Sequence, residues 1–291
     1  MKKPTSDKSS RNHKIITVLG ITALVFLMLV SISGCVSFAG NPNLGSNNVS
    51  NLNKSDEAIK LYDKAIEINP QDSKAWYNKG LTLGKLGKLN EAIVAFDRAI
   101  DINPQYSKAW AGKGVALGEL GKLDEALQAY DRAIELNPQD SIAWYNKGRA
   151  LHKLNKYDEA MKAFDKAIKI NPQYSDAWDG KGNVLSDLNK FDEAIIAYNK
   201  AIEINPQDSK PWYSKGNALD DLNKSEEAIN SYDKAIEINP QYSDAWYNKG
   251  VVLGKLNKSD EAIKAYEKAI EINPQNSMTW YDKNTLSKWI K

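Results

Sequence analysis

Residues 73–106 read SKAWYNKGLTLGKLGKLNEAIVAFDRAIDINPQY, and this pattern returns every 34 residues along most of the chain. A tryptophan and a proline mark the period, at Trp76, Trp110, Trp144, Trp178, Trp212, Trp246 and Trp280 and at Pro70, Pro104, Pro138, Pro172, Pro206, Pro240 and Pro274. A fixed period of this size indicates one supersecondary unit stacked on copies of itself, so it decides the fold before any local motif.

Each repeat begins with a helical pattern. After Trp76, the small or apolar residues Gly80, Leu83 and Leu86 follow at helical spacing, so they share one helix face. Ser73 is expected to be the N-cap, because its hydroxyl can accept a hydrogen bond from a free amide of the first turn.

A second helical pattern follows the break at Gly87. Pro104 ends it, since the residue before a proline avoids helical backbone angles and proline offers no amide. Gly80 lies inside the first helix, where glycine costs about 1 kcal/mol relative to alanine. It nevertheless recurs in all six complete repeats. The expected reason is a close approach of the second helix at Ala92.

These residues resemble the tetratricopeptide repeat, whose motif has tryptophan, glycine, alanine, phenylalanine and proline at fixed spacing within 34 residues. The positions that carry the resemblance are Trp76, Gly80, Leu83, Ala92, Phe96, Ala99 and Pro104. Two positions depart from the motif: Lys79 replaces the family's leucine, and Leu83 replaces its tyrosine. The resemblance implies an all-α fold, a right-handed superhelical solenoid of stacked antiparallel helix pairs. It does not specify a function.

The repeat also divides the chain. Residues 54–72 match only the second helix of a unit and are predicted to be an N-terminal half-repeat. Six complete repeats cover residues 73–276, and residues 277–291 are predicted to form a capping helix. The repeats start at Ser73, Ser107, Ser141, Ser175, Ser209 and Ser243. The preceding residue alternates between aspartate and tyrosine (Asp72, Tyr106, Asp140, Tyr174, Asp208, Tyr242), which indicates duplication of a two-repeat block.

Residues 1–34 have a different composition. Five basic residues and an aspartate precede an apolar run from Ile15 to Ile32, which is typical of a secretory signal or a signal anchor. Cys35, the only cysteine, follows the sequence Ile-Ser-Gly, and this stretch resembles the prokaryotic lipoprotein signal. That resemblance implies lipidation of Cys35 and cleavage before it. The alternative is an uncleaved signal anchor with an incidental cysteine.

Both interpretations place the repeats outside the cytoplasm, at the cell surface or in a periplasm, because basic residues stay on the inner side of the membrane. Residues 35–53 are rich in Gly, Asn, Pro and Ser and are predicted to be a flexible tether. Removal of residues 1–34 takes away five basic groups and one acidic group, which changes the formal net charge from +2 to −2. No basic stripe remains for a nucleic acid.

The sequence does not indicate an enzyme. His152 is the only histidine within the repeats, and one histidine cannot supply a metal site or a catalytic triad. The acidic residues recur near helix starts, where they interact favourably with the helix dipole. No cofactor and no metal are expected.

The family resemblance implies that the first helices line a concave face. Counting each repeat's serine as position 1, positions 2, 5, 9, 12 and 13 would point inward. The residues predicted on this basis to bind a partner are Lys74, Tyr77, Lys108, Tyr145, Arg149, Asp179, Asn183, Tyr213, Asn217 and Tyr247. Tyrosines at position 5 suit protein recognition, with packing between repeats as the alternative. Asn183 and Asn217 are predicted to hold an extended peptide backbone.

The inward positions also differ in charge along the chain. Repeats 1–3 carry Lys74, Lys85, Lys108, Arg149 and Lys153 against Glu119, whereas repeats 4 and 5 carry Asp176, Asp179, Asp187, Asp220 and Asp221 against Lys210. This predicts an extended ligand with an acidic segment over the first three repeats and a basic segment over the next two. The alternative is drift between duplicated blocks on a solvated face.

Three functions are compatible with these patterns. The first is a membrane-anchored, extracytoplasmic scaffold that binds a protein or peptide in its groove, during assembly of a surface complex. The second is a structural spacer without a groove ligand. The third is an accessory subunit of a secretion or glycosylation enzyme.

Overall fold

The computed structural model describes residues 47–276, 279–280, 282–283 and 285, with side chains from Lys54 onward. Thirteen helices and no strands form this part of the chain. The helices are α1 (Asn47–Ile68), α2 (Ser73–Lys85), α3 (Leu89–Ile102), α4 (Ser107–Glu119), α5 (Leu123–Leu136), α6 (Ser141–Lys153), α7 (Tyr157–Ile170), α8 (Ser175–Asp187), α9 (Phe191–Ile204), α10 (Ser209–Asp221), α11 (Ser225–Ile238), α12 (Ser243–Lys255) and α13 (Ser259–Ile272).

Consecutive helices pack against one another. The boundary between two compact units falls inside α6, between Ala150 and Leu151. In the first unit, each helix from α1 to α4 packs on the next; in the second, each helix from α7 to α12 does so. First helices of successive repeats also touch, as α8 touches α10. The all-α class and the stacked helix pairs predicted from the repeat are therefore confirmed.

The turn inside each repeat uses a left-handed residue. Gly87 and Gly121 have φ values of 73° and 77°, and the four later repeats place asparagine there with φ values from 57° to 59°. The following amide closes the helix end, since Lys88 N donates to the carbonyl of Leu83 at 3.0 Å. Glycine and asparagine are the residues that tolerate this conformation, so the pattern break at Gly87 is a helix C-terminus.

The predicted N-cap is displaced by one residue. Asp72, rather than Ser73, caps α2, and its carboxylate accepts hydrogen bonds from Lys74 N at 2.9 Å and Ala75 N at 3.2 Å. Ser73 is the first residue of the helix. Aspartate caps a helix as well as serine does, because its short side chain also carries a hydrogen-bond acceptor. Its negative charge also interacts favourably with the positive end of the helix dipole.

The first helix begins earlier than expected. The sequence placed the boundary between tether and half-repeat at residue 54, but α1 starts at Asn47. No glycine or proline lies between Gly45 and Pro70, so nothing in the sequence interrupts a helix there. The rest of the predicted tether, the leader and Cys35 lie outside the described residues, as does most of the predicted capping helix.

The recurrent glycine makes room for an aromatic ring. A Cβ on Gly80 would lie 2.7 Å from Cε1 of Phe96, and a Cβ on Gly112 of the next repeat would lie at the same distance from that atom. Phe96 is fully buried between them. The close approach predicted for Ala92 is thus made by the ring of Phe96. In the later repeats Tyr130, Phe164, Tyr198, Tyr232 and Tyr266 hold the equivalent position.

Candidate partner-binding face

The predicted face of the first unit combines exposed cations with half-buried aromatic rings. Lys74, Lys85 and Lys108 are exposed, and none of them makes an ion pair within the described part of the chain. Tyr77 is half-buried. The guanidinium of Arg149 lies over the ring of Tyr145, 5.8 Å from its centroid, which is a cation–π contact. These cations are available to an acidic ligand.

Tyr77 is held by other aromatic rings. Its ring centroid lies 5.0 Å from that of Tyr106 and 5.9 Å from that of Phe96. Burial raises the pKa of the Tyr77 hydroxyl, and the charges of Tyr106 and Asp140 raise it further. The side chain is therefore neutral at ordinary pH. A large part of its ring surface packs against Tyr106 and Phe96 and is not accessible to a ligand.

In the second unit, Asn183 belongs to a polar network. Its Oδ1 accepts a hydrogen bond from the hydroxyl of Tyr198 at 2.9 Å, and its Nδ2 donates to Oδ2 of Asp179 at 3.2 Å. Tyr198 is buried, and a buried hydroxyl needs hydrogen-bond partners. Asn183 thus satisfies a core tyrosine, a role that its position on the face did not predict.

Asn217 has the same role one repeat later. Its Oδ1 accepts from the hydroxyl of Tyr232 at 2.8 Å and from Nδ2 of Asn248 at 2.9 Å. Asn248 also donates to the hydroxyl of Tyr213 at 3.1 Å. The acceptor oxygens of both asparagines are therefore engaged inside the protein. A sequence signal existed, because asparagine occurs at this position only where the core ring of the same repeat is tyrosine.

The remaining tyrosines of the second unit are also half-buried. The centroid of Tyr213 lies 4.8 Å from that of Tyr242 and 6.0 Å from that of Tyr232. Tyr247 contacts Tyr266 at 5.8 Å, and its hydroxyl donates to Oδ2 of Asp282 at 2.8 Å. The position-5 tyrosines therefore pack between repeats while keeping part of each ring accessible.

A hydrogen bond and an ion pair engage two of the carboxylates predicted to form an acidic surplus in repeats 4 and 5. His152 Nε2 lies 2.6 Å from Oδ2 of Asp187, and Lys255 Nζ lies 2.8 Å from Oδ2 of Asp220. Both pairs join position 12 of one repeat to position 13 of the next. Fewer unpaired carboxylates therefore remain for a basic ligand than the sequence suggested.

A second recurrent contact lies beside this face and was not predicted. The lysine that replaces the family's leucine pairs with an acidic residue of the preceding second helix, as Lys79 does with Asp63 at 2.6 Å. The same lysine lies over the tryptophan of its own repeat, with Lys79 Nζ 5.4 Å from the centroid of Trp76. Equivalent ion pairs are Lys113–Asp97, Lys147–Asp131, Lys181–Asp165, Lys249–Asp233 and Lys283–Glu267. The constant spacing of 16 residues between the partners was the available signal.

Among the described residues, no helix is long and apolar enough to cross a membrane. The same residues also contain no cluster of three or more His, Cys, Asp and Glu side chains suited to a metal ion.

Comparison with known protein families identifies the 34-residue unit as a tetratricopeptide repeat. Models of the tetratricopeptide repeat match overlapping stretches that together run from residue 51 to residue 276. The matched stretches are 51–87, 73–106, 95–128, 112–175, 163–196, 182–222, 216–257 and 243–276. A comparison with curated proteins found no match.

Solved structures of similar fold cover large parts of the chain. YrrB, described as a TPR protein with an unusual peptide-binding site, is 27% identical, with a TM-score of 0.52 over 65% of this chain and 98% of its own. pilF of Pseudomonas aeruginosa is 18% identical, with a TM-score of 0.65 over 80% and 99%. MamA of Desulfovibrio magneticus RS-1 is 23% identical, with a TM-score of 0.53 over 58% and 96%. The last two show similarity of fold alone.

Proposed function

The chain belongs to the tetratricopeptide-repeat family, and from this premise we propose that it is a scaffold that binds extended protein segments along its first helices. The fold supports protein interaction, and the similar YrrB has a peptide-binding site. The observation that carries the proposal is the set of unpaired cations beside half-buried rings in the first unit. Lys74 and Lys108 are exposed at position 2 of successive repeats, and the half-buried Tyr77 occupies position 5 of the first.

The ligand of the first unit is an acidic segment. An unpaired surface lysine selects and steers an anionic partner more than it tightens the complex, and added salt screens that effect. The accessible part of each tyrosine supplies apolar contact area with a polar tip at low entropic cost. The second unit carries exposed Asp221 and Asp244 on its corresponding positions, which suits a basic segment.

Charge reversal tests this face. Lys74→Glu with Lys108→Glu should slow association of the partner captured from native membranes by roughly tenfold at low salt, with a smaller effect at high salt. The matched control is Arg98→Glu with Lys122→Glu, which makes the same charge change at exposed positions outside the first helices. A stoichiometric partner that ignores the first pair, or responds equally to the control, would place the binding surface elsewhere.

The membrane anchor is part of the same proposal. Two acyl chains on Cys35 would hold the protein firmly at an extracytoplasmic membrane surface, where one chain would bind marginally. The support is the sequence alone: an apolar run followed at once by Ile-Ser-Gly-Cys. Cys35→Ser should abolish incorporation of labelled lipid and block cleavage before residue 35. A wild-type chain that takes up no lipid and keeps its leader would favour the uncleaved anchor.

A structural spacer is the second candidate, and one observation favours it. Tyr77, Tyr213 and Tyr247 contact other rings of the protein, and Asn183 and Asn217 accept hydrogen bonds from core tyrosines. Residues with these internal contacts stabilise the stack even when no ligand is present. Reproducible recovery of the protein from native membranes without a stoichiometric partner would support the spacer.

A further inference from the structure

One junction of the second unit places two carboxylates where others place two rings. Position 5 of a first helix faces the residue that precedes the next repeat's serine, as Tyr213 faces Tyr242 with 4.8 Å between ring centroids. At the junction of repeats 4 and 5 these positions hold Asp179 and Asp208. Two neutral rings attract each other at this distance, whereas two carboxylates repel when both are ionised.

The surroundings of Asp179 do not satisfy an ionised carboxylate. Its Oδ2 accepts one hydrogen bond, from Asn183 Nδ2 at 3.2 Å. Its Oδ1 is buried and has no hydrogen-bond partner among the described residues. A buried, unpartnered carboxylate oxygen is costly because it has lost its hydration without a replacement.

Neighbouring charged and polar groups act on the pKa of Asp179 together with its burial. The pKa of Asp179 is raised to about 7, and burial is the largest cause. The charges of Asp208 and Asp176 also raise it. The hydrogen bond from Asn183 and the charge of Lys210 lower it. Burial is the main cause that raises the pKa values of the hydroxyls of Tyr198 on α9 and of Tyr242 before α12, and the charge of Asp179 raises both further. Both hydroxyls stay neutral.

Asp208 has a hydrogen-bond donor that Asp179 Oδ1 lacks among the described residues. Its Oδ1 accepts a hydrogen bond from Lys210 N at 3.0 Å and so caps α10. A short acceptor side chain at this position satisfies a free amide of the first helical turn. Asp179, which has no such donor for its Oδ1 in the described part of the chain, is therefore the carboxyl that keeps its proton as the pH rises through the acidic range.

We propose that Asp179 makes the junction between repeats 4 and 5 sensitive to pH. The junction is more stable when the carboxyl is protonated and less stable when the carboxyl is ionised. The proton goes to Oδ1, where the neutral carboxyl no longer repels Asp208. This inference concerns the fold itself and does not depend on a partner or a membrane.

The sign of the pH dependence follows from linkage. An acid whose pKa is higher in the folded chain than in the unfolded chain binds a proton on folding between the two values. The stability that Asp179 contributes is therefore fully present below the unfolded value, near 4, and is lost as the pH rises to about 7. Above that range the junction is at its weakest.

Denaturant unfolding of the full chain in detergent, at pH 5.5 and pH 8.5, tests the proposal. Asp179→Asn keeps the shape of the side chain and removes its titration. We expect it to stabilise the protein more at pH 8.5 than at pH 5.5, with the unfolding constant relative to wild type falling by about a further tenfold. Asp244→Asn, an exposed aspartate in the same unit, should show no such change.

A second variant keeps the proposal testable if Asp179→Asn disturbs the fold. Asp208→Asn retains a capping side chain but removes the facing charge. It should move the titration of Asp179, followed by the NMR chemical shift of its carboxyl carbon, to lower pH. A difference between wild type and Asp179→Asn that changes less than twofold between the two pH values, or an Asp179 titration in the ordinary range for aspartate, would overturn the proposal.

Discussion

The ring of Tyr242 lies against the ring of Tyr213, with 4.8 Å between their centroids, and Tyr106 lies against Tyr77 in the same way at 5.0 Å. In both pairs the second tyrosine immediately precedes the serine of the next repeat. Where aspartate precedes that serine, it caps the following helix, as Asp72, Asp140 and Asp208 do. The alternation seen in the sequence therefore distinguishes junctions closed by aromatic packing from junctions with a capped helix.

The capping junctions lead to a first prediction. Asp140 accepts hydrogen bonds from Ile142 N at 3.0 Å and Ala143 N at 3.1 Å at the start of α6. Asp140→Ala should lower the free energy of unfolding by about 1 kcal/mol, because two amides of the first turn lose their partner. Asp140→Asn should cost much less, since asparagine caps about as well. Equal losses for both variants, measured by urea unfolding, would show that the cap contributes nothing.

A second prediction compares two glycines of one helix. A Cβ on Gly114 would lie 2.6 Å from Cε1 of Tyr130, whereas a Cβ on Gly118 would meet nothing closer than the Tyr130 hydroxyl oxygen at 3.6 Å. Gly114→Ala should destabilise the protein by about 1–3 kcal/mol, because the buried ring must shift. Gly118→Ala should stabilise it by up to about 1 kcal/mol, because alanine favours the helix.

Thermal unfolding of both variants distinguishes a packing requirement from a general property of helical glycine. If both substitutions raise the midpoint, the ring of Tyr130 has room to move and the recurrent glycine needs another explanation. If both lower it, the helix itself requires glycine at these positions.

A third prediction concerns Asn183. Because its Oδ1 accepts from the buried hydroxyl of Tyr198, Asn183→Ala should lower the free energy of unfolding by about 1 kcal/mol through loss of that hydrogen bond. Combining it with Tyr198→Phe removes the donor as well, so the double variant should lose less than the sum of the two single losses. Strictly additive losses in a double-mutant cycle would mean that the hydrogen bond does not contribute.

The sequence predicted the architecture well because six complete repeats carry the same hydrophobic and small positions. It predicted the face less well. Tyr213 and Asn217 were assigned to a ligand from their positions, yet both contact neighbours whose identity depends on how adjacent repeats stack. Position in one helix shows which side chains share a surface. It does not show which of them are already satisfied by the next repeat.

The ion pairs of the recurrent lysine were not predicted for the same reason, because each joins residues of different helices. Lys79 was recognised as a departure from the family motif, but its partner Asp63 belongs to the preceding helix. Only the constant spacing between the lysine and the acid carries that information, and it becomes meaningful once the stacking of helices is known. At this position the family's leucine is thus replaced by a lysine that makes two contacts. Lys79 pairs with Asp63 and also lies over the ring of Trp76.

The last prediction uses the one gap in this series of ion pairs. Lys215 is the equivalent lysine of repeat 5, but Asn199 stands where the other repeats have aspartate or glutamate. Lys215 Nζ lies over the ring of Trp212, 5.5 Å from its centroid, and has no ion pair within the described residues. Burial lowers the pKa of Lys215, with a smaller opposing effect from Glu227. A carboxylate at residue 199 would favour the charged lysine and raise that pKa.

Asn199→Asp should therefore stabilise the protein by up to about 1 kcal/mol at low salt, since partly exposed ion pairs contribute little more than this. The gain should shrink in 1 M salt because the charges are screened. Asp165→Asn, which breaks the equivalent pair with Lys181 in repeat 4, is the matched control and should have the opposite sign. Urea unfolding midpoints at the two salt concentrations provide the measurement. If Asn199→Asp leaves the low-salt midpoint unchanged while Asp165→Asn lowers it, the contact between Lys215 and Trp212 already satisfies the lysine, and the gap costs nothing.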